Sequence, residues 1–159
     1  MADAAAFVTD VFQPEFIDIN FGCPVKKVVR RNGGSGCLRD LGLVQEVIRA
    51  VARATHLPVT CKIRSGWSEE MRDPVTIGLR CQDAGVKAIA LHPRTRTQMY
   101  SGSARWEEIA SLHGSLDATK DRLGQVYDDW WRRWRMRFYD PMVERRSEYS
   151  RLNLENIAP

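Results

Sequence analysis

The sequence predicts an α/β fold of successive parallel βαβ units, about three of them. Short stretches with strand character, FIDIN (16–20), VTCKIR (59–64) and VKAIALH (86–92), alternate with longer stretches whose apolar residues recur at helical spacing. Each strand-like stretch runs into a polar loop and carries a reactive side chain at or near its end: Cys23, Lys62 and His92. Strands and helices alternating in this way signify a parallel sheet.

The elements follow in order. AAAFVTDVF (4–12) reads as the end of a helix, and FIDIN as a short strand with Phe16, Ile17 and Ile19 apolar. KKVVRRNGGSG (26–36) reads as a polar, glycine-rich loop. In LRDLGLVQEVIRAVARATH (38–56), Leu43, Val47, Ile48 and Val51 lie on one helical face. Pro58 ends that helix and opens the second strand, which SGWSEEMRD (65–73) follows as a loop. Asp73 and Pro74 form an N-cap and first helical position for PVTIGLRCQDAG, which ends near Gly85. VKAIALH is the third strand, PRTRTQMYSGSA (93–104) a third polar loop, and ARWEEIASL (104–112) the start of a further helix.

Composition limits the possibilities. The chain has 159 residues with 43% hydrophobic residues, which is enough to supply the core of one ordinary domain. No apolar run reaches the roughly 20 residues of a membrane helix, and the N-terminal residues lack the layout of a signal peptide, so the expected location is the cytosol, with no membrane partner. The cysteines Cys23, Cys37, Cys61 and Cys81 stand 14, 24 and 20 residues apart with no CxxC pair, which argues against a disulfide framework and against a metal site. A net charge of +4 is compatible with a polyanionic partner without requiring one.

In parallel α/β folds the carboxyl ends of the strands converge on one face, so Cys23, Lys62 and His92, spaced 39 and 30 residues apart, can meet there. Taken singly, each has an ordinary explanation: a cysteine after a strand as a small buried hydrophobe, a lysine or histidine as a solvated charge. Their recurrence in consecutive units points to a shared site.

The motifs IDINFGCPVKKV, GGSGCLRD, VTCKIRSGW and LHPRTRTQMYSGSARW, in this order, resemble the tRNA-dihydrouridine synthases over about residues 3–112. The resemblance implies a partial (β/α)8 barrel and a flavoenzyme in which NADPH reduces FMN, hydride passes to C6 of a tRNA uracil and a cysteine protonates C5. Matched position by position, the cysteine of the GCP motif is Cys23, the substrate-facing asparagine is Asn20, the flavin-binding lysine is Lys62, and the histidine of the HxRT motif is His92. A thiol, ordinarily titrating near 8.5, is still protonated at neutral pH and can serve as the acid. Lys62 suits the anionic reduced flavin, and His92 can donate to the flavin or its phosphate. Arg64, Arg94 and Arg96, just past the strand ends, offer forked donors for phosphate or the uracil edge. Cys37, Cys61 and Cys81 are expected to be structural. The basic loops suit an RNA backbone, with only Tyr100 and Trp67 as stacking partners for a base turned out of the RNA.

Two other readings stay open: an FMN barrel oxidoreductase acting on a free pyrimidine, similar to the dihydroorotate dehydrogenases, and a non-catalytic RNA-binding fragment.

The expected domain division is a partial barrel with the flavin and catalytic residues over 1–112, and a divergent, helical or irregular tail over 113–159. Relative to the family pattern the chain reads as shortened at both ends. Residues 117–159 hold three of the five tryptophans and a net charge of +1, nine basic against eight acidic residues, and the block WWRRWRMRF (130–138) suits either stacking on nucleic acid or an amphipathic helix. The preferred expectation is that an insertion, deletion or rearrangement has replaced the rest of the barrel sequence there.

Overall fold

A computed structural model describes residues 1–116; the expectations for residues 117–159, WWRRWRMRF among them, lie outside the described residues. The elements are α1 (Ala2–Phe12), β1 (Ile17–Asn20), α2 (Lys26–Val29), a 3₁₀ helix (Gly34–Arg39), α3 (Leu41–Ala54), β2 (Val59–Arg64), α4 (Pro74–Asp83), β3 (Ala88–His92) and α5 (Glu107–Ser115). The strands form one parallel sheet in the order β1-β2-β3, so the predicted alternation and strand direction hold.

Local chemistry explains most of the boundaries. The Asp40 carboxylate accepts hydrogen bonds from the amides of Gly42 (2.9 Å) and Leu43 (3.2 Å) and so starts α3. Asp73 does the same for α4 through Thr76 N at 2.9 Å, with Pro74 at the first helical position, as read from the sequence. α3 closes at Ala54 with Thr55 already extended, so Pro58 opens β2 but does not itself stop the helix. Gly85 turns the chain out of α4 at φ 105°, a conformation that glycine adopts without steric cost.

The stretch 26–36, expected to be loop, is a correction. Its first residues form the single turn α2 and its last begin the 3₁₀ helix, joined through Asn32 and Gly34, both at left-handed φ (53° and 55°). Asparagine and glycine are the residues that tolerate this conformation, and the turn lets Val29 bury its side chain. The loop composition was real, but it serves helical turns and not an open loop.

Register divides the sheet into two chemically different faces. Ile17 pairs with Val59, Ile19 with Cys61, Cys61 in turn with Ile89, and Ile63 with Leu91. These side chains share one face and join a core with Val44, Ile48 and Val51 of α3, Ile77 and Cys81 of α4, and Leu112 of α5. The other face carries Asp18, Asn20, Thr60, Lys62, Arg64, Ala88, Ala90 and His92, also in register. A purely structural parallel sheet is apolar on both faces, so a row of polar residues on one of them is unusual. Among the described residues β1 and β3 each pair with β2 alone, and α1 leaves Phe7, Val11 and Phe12 exposed.

Candidate functional site

The polar face ends in three loops at the carboxyl ends of the strands. Asn20 and Lys62 are direct register partners, as are Lys62 and Ala90, and Arg64 and His92 form the next row. The sheet therefore gathers Asn20, Lys62, Arg64 and His92 on one surface, with Cys23 three residues beyond Asn20.

Asn20 builds the turn that holds Cys23. Its side-chain oxygen accepts from the amides of Gly22 at 2.8 Å and Cys23 at 3.1 Å, which leaves the NH2 end of the amide as the donor turned elsewhere. From the other side, the Cys23 carbonyl accepts from Ser35 N at 3.0 Å and Ser35 Oγ at 2.8 Å. Gly34 fits closely: a Cβ there would lie 2.7 Å from Cys23 O and 2.8 Å from Cys23 Cβ. The GGSG segment thus clamps the GCP segment. The sequence showed both motifs but not that they touch, because nothing in the spacing of Cys23 and Ser35 reports a tertiary hydrogen bond.

Cys23 is half-buried, whereas Cys37, Cys61 and Cys81 are buried. Cys37 donates to Asn32 O at 2.7 Å, and burial pushes its thiol up. A hydrogen bond with Cys81, together with burial, holds the Cys61 thiol well above the ordinary range. Cys23 is thus the most accessible of the four cysteines.

The Lys62 ammonium makes no hydrogen bond or ion pair among the described residues. Partial burial and the neighbouring Arg64 pull its ammonium down, and Asp18 opposes them. The residue beside it in β3, Ala90, is small, which leaves room next to the ammonium.

His92 is pushed down to about 4 by partial burial, then by Arg64, Lys62 and Arg94, so it is neutral at pH 7. Its Nε2 lies 3.2 Å from Arg94 Nη1. A guanidinium can only donate, so Nε2 is the acceptor and the proton sits on Nδ1. His92 therefore offers an Nδ1–H donor within a positive surrounding.

Arg64, expected to present its fork to phosphate or the uracil edge, is 2% exposed and spends most of that fork on protein. Nε donates to Gly22 O at 2.9 Å, and Nη1 to Thr95 O at 3.0 Å and Met99 O at 2.8 Å. It ties the loops after β1 and β3 to β2, and Nη2 alone has no hydrogen-bond partner among the described residues. Arg94 donates through Nη2 to Gly102 O at 2.9 Å. Arg96 lies over the Trp67 ring at 4.6 Å, so Trp67, expected as a base-stacking partner, already has a guanidinium against it. Tyr100 is 71% exposed, with its ring 6.2 Å from that of His92.

A polar network stiffens the rim. Ser65 N donates to Arg94 O (3.1 Å) and Arg96 N to Gly66 O (2.9 Å), which lays the third loop along the second. Arg72 pairs with Glu69 at 2.8 Å and Glu108 at 2.6 Å and also bonds Gln98, while Ser65 donates to Glu108. None of Ser35, Gln98 or Glu108 stood out in the sequence, where each looks like an ordinary surface residue.

The donor set suits an anionic ligand. A lysine without a partner, a neutral histidine donor and the small Ala90 share one surface that carries several cations and one nearby carboxylate, Asp18.

The family model described as Dihydrouridine synthase (Dus) matches residues 1–119. The chain is 48% identical over 98 residues to the tRNA-dihydrouridine synthase B of Pseudomonas aeruginosa, which covers 62% of this chain and 30% of that protein. It is 44% identical over 116 residues to the tRNA-dihydrouridine synthase B of Xanthomonas campestris pv. campestris, covering 73% and 35% respectively. It is 41% identical over 128 residues to a probable tRNA-dihydrouridine synthase of Rhodobacter capsulatus, covering 80% and 39%. The chain thus spans about a third of the length of these curated relatives, from 30% to 39%. With the motifs, the parallel sheet and the family match in agreement, the chain belongs to the dihydrouridine synthase family.

Proposed function

We propose that this chain supplies three units of a (β/α)8 barrel and acts as a flavin-dependent tRNA-dihydrouridine synthase, reducing the C5–C6 double bond of a uridine in tRNA. The observation that carries this reading is the row Asn20–Lys62–Ala90 on the polar face, with Cys23 and His92 at its carboxyl end. Lys62 and His92 would hold FMN, which when bound and reduced by NADPH would supply the hydride for C6 of the uracil.

The protein's own groups do the rest. Lys62 would stand against the negative charge of a bound flavin, and the His92 Nδ1–H would donate to the flavin or its phosphate. The NH2 end of Asn20 donates to the uracil while its oxygen keeps the Cys23 turn in shape. Cys23 delivers a proton to C5 and is reprotonated from water, so hydride and proton together complete the reduction. Arg64 positions the loops and has Nη2 left for the uracil edge, while Arg94 and Arg96 lie where the RNA backbone or a phosphate would pass.

The test is dihydrouridine formation in unmodified tRNA given FMN and NADPH. Cys23→Ala should lower the rate by ~10²–10⁴, the usual contribution of a general acid. Cys37→Ala, at a buried cysteine bonded to a carbonyl, should retain it. Full activity in Cys23→Ala with loss in Cys37→Ala would reassign the acid. Reduction of a free pyrimidine without RNA would instead assign the chain to the free-pyrimidine oxidoreductases.

A further inference from the structure

Two arginines from different loops meet on one tryptophan. Trp67, in the loop after β2, has Arg39 Cζ at 4.8 Å and Arg96 Cζ at 4.6 Å from its ring centroid. Arg39 ends the 3₁₀ helix after β1, and Arg96 lies in the loop after β3, so the three loops of the site converge here.

Both guanidiniums are seated by the protein alone. Arg39 donates through Nε to Gly36 O at 3.2 Å and through Nη2 to Asn32 Oδ1 at 2.7 Å. Arg96 makes no side-chain hydrogen bond among the described residues, and its Nε is buried without a partner. Its backbone is fixed by Gly66, and that of the next residue by Trp67, at 2.9 and 3.0 Å. Neither arginine has a carboxylate: the ion pairs among the described residues join Arg72 and Arg105 to Glu69 and Glu108.

Two cations against one indole, with no carboxylate paired to either among the described residues, suit a ligand that carries more than one negative charge. A guanidinium over a ring keeps in-plane donors for phosphate oxygens wherever the protein has not taken them: here Nη1 of Arg39 and the two terminal nitrogens of Arg96 make no hydrogen bond among the described residues. The segment 22–39 adds Lys26, Lys27, Arg30, Arg31 and Arg39 with no acidic residue, while Asp40, Glu69 and Glu70 follow close in sequence.

We propose that Arg39 and Arg96, seated on Trp67, form a phosphodiester-binding pair that grips the RNA backbone at the rim of the site, and that Trp67 is the seat of this pair and not a platform for a base. This rests on the reading of the chain as a tRNA-modifying protein and names the contacts that would hold the RNA.

The experiment is equilibrium binding of the full 159-residue chain to a fluorescent, unmodified tRNA transcript, with neither flavin nor NADPH present, across ~50–200 mM salt. Each phosphate contact contributes ~0.7–0.9 to the slope of log affinity against log salt, so Arg39→Gln with Arg96→Gln should reduce the slope by ~1.4–1.8. Trp67→Leu should also reduce it, because both guanidiniums lose their seat. Arg39→Gln alone, at an exposed position, keeps the test informative if the double variant unfolds, and should reduce the slope by ~0.7–0.9. Arg49→Gln, on the exposed side of α3, should not change it.

An unchanged slope in Arg39→Gln, or no RNA binding by the parent chain, overturns the proposal. So does weaker binding at unchanged slope in Trp67→Leu, which would mean that the indole stacks on a base. Dihydrouridine formation is read separately: product with an unaltered slope rejects the pair and leaves the proposed function standing, whereas a reduced slope without product does the reverse.

Discussion

The contact between Gly34 and Cys23 is tight enough to make its perturbation quantitative. Gly34 sits at φ +55°, and an added Cβ would fall 2.7 Å from Cys23 O and 2.8 Å from Cys23 Cβ, closer than nonbonded atoms tolerate. Gly34→Ala therefore incurs ~1–2 kcal/mol for a left-handed backbone with a Cβ. Separating the two segments adds ~1–3 kcal/mol of overpacking. The expected loss is ~2–5 kcal/mol of folding free energy. Ser35→Ala is the milder change, because Ser35 N still bonds the Cys23 carbonyl when the hydroxyl is gone, and it should cost ~1 kcal/mol. Urea unfolding measures both. Alkylation by iodoacetamide under native conditions reports the site itself, since Cys23 is half-buried and the other three cysteines are buried. Gly34→Ala should alter the rate at Cys23 more than Ser35→Ala does. A Gly34→Ala protein as stable as the parent, with unaltered Cys23 alkylation, would refute the clamp.

Other consequences follow from the same geometry. Arg64→Ala removes three charge-assisted hydrogen bonds to loop carbonyls and should cost at least ~3 kcal/mol in thermal or urea unfolding. Arg64→Lys should recover little of this, because one ammonium cannot reproduce the fork. Gly78→Ala would place a Cβ 2.2 Å from Leu112 Cδ1, so the buried Leu112 side chain must repack at ~1–3 kcal/mol, offset by ~1 kcal/mol of helix propensity; the net loss of ~0–2 kcal/mol is read by the same unfolding assay. His92 titrates near 4 in the folded chain and ordinarily near 6.5, so between those values the unfolded chain binds the extra proton. Stability should fall as the pH drops through that window, and His92→Gln should flatten that part of a urea-midpoint profile against pH.

Much of this arrangement is legible in the residues. The short apolar stretches FIDIN and VTCKIR bounded by polar loops, helical spacing in 38–56 and the Asp73–Pro74 start of α4 depend on local chemistry, and they gave the element order and the parallel sheet. The convergence of Asn20, Lys62 and His92 on one face also follows from alternation once the strands pair in register. Arg64 shows where such reasoning stops. Alternation puts it on the face of Lys62, yet its burial depends on carbonyls of Gly22, Thr95 and Met99, 31 to 42 residues away. Asn20 is similar: its position was readable, but not that its oxygen would be taken by the amides of Gly22 and Cys23. The segment 26–36 misled because glycine and asparagine, which mark loops, here supply the left-handed φ that joins two helical turns.

The most direct measurement is titration of FMN against the purified chain, by quenching of flavin fluorescence, with circular dichroism on the same samples. The proposed function predicts saturable binding that Lys62→Ala weakens at least ~10-fold, the equivalent of one charge-assisted hydrogen bond. A folded chain that takes up no FMN, or one that binds it equally well after Lys62→Ala, would contradict it.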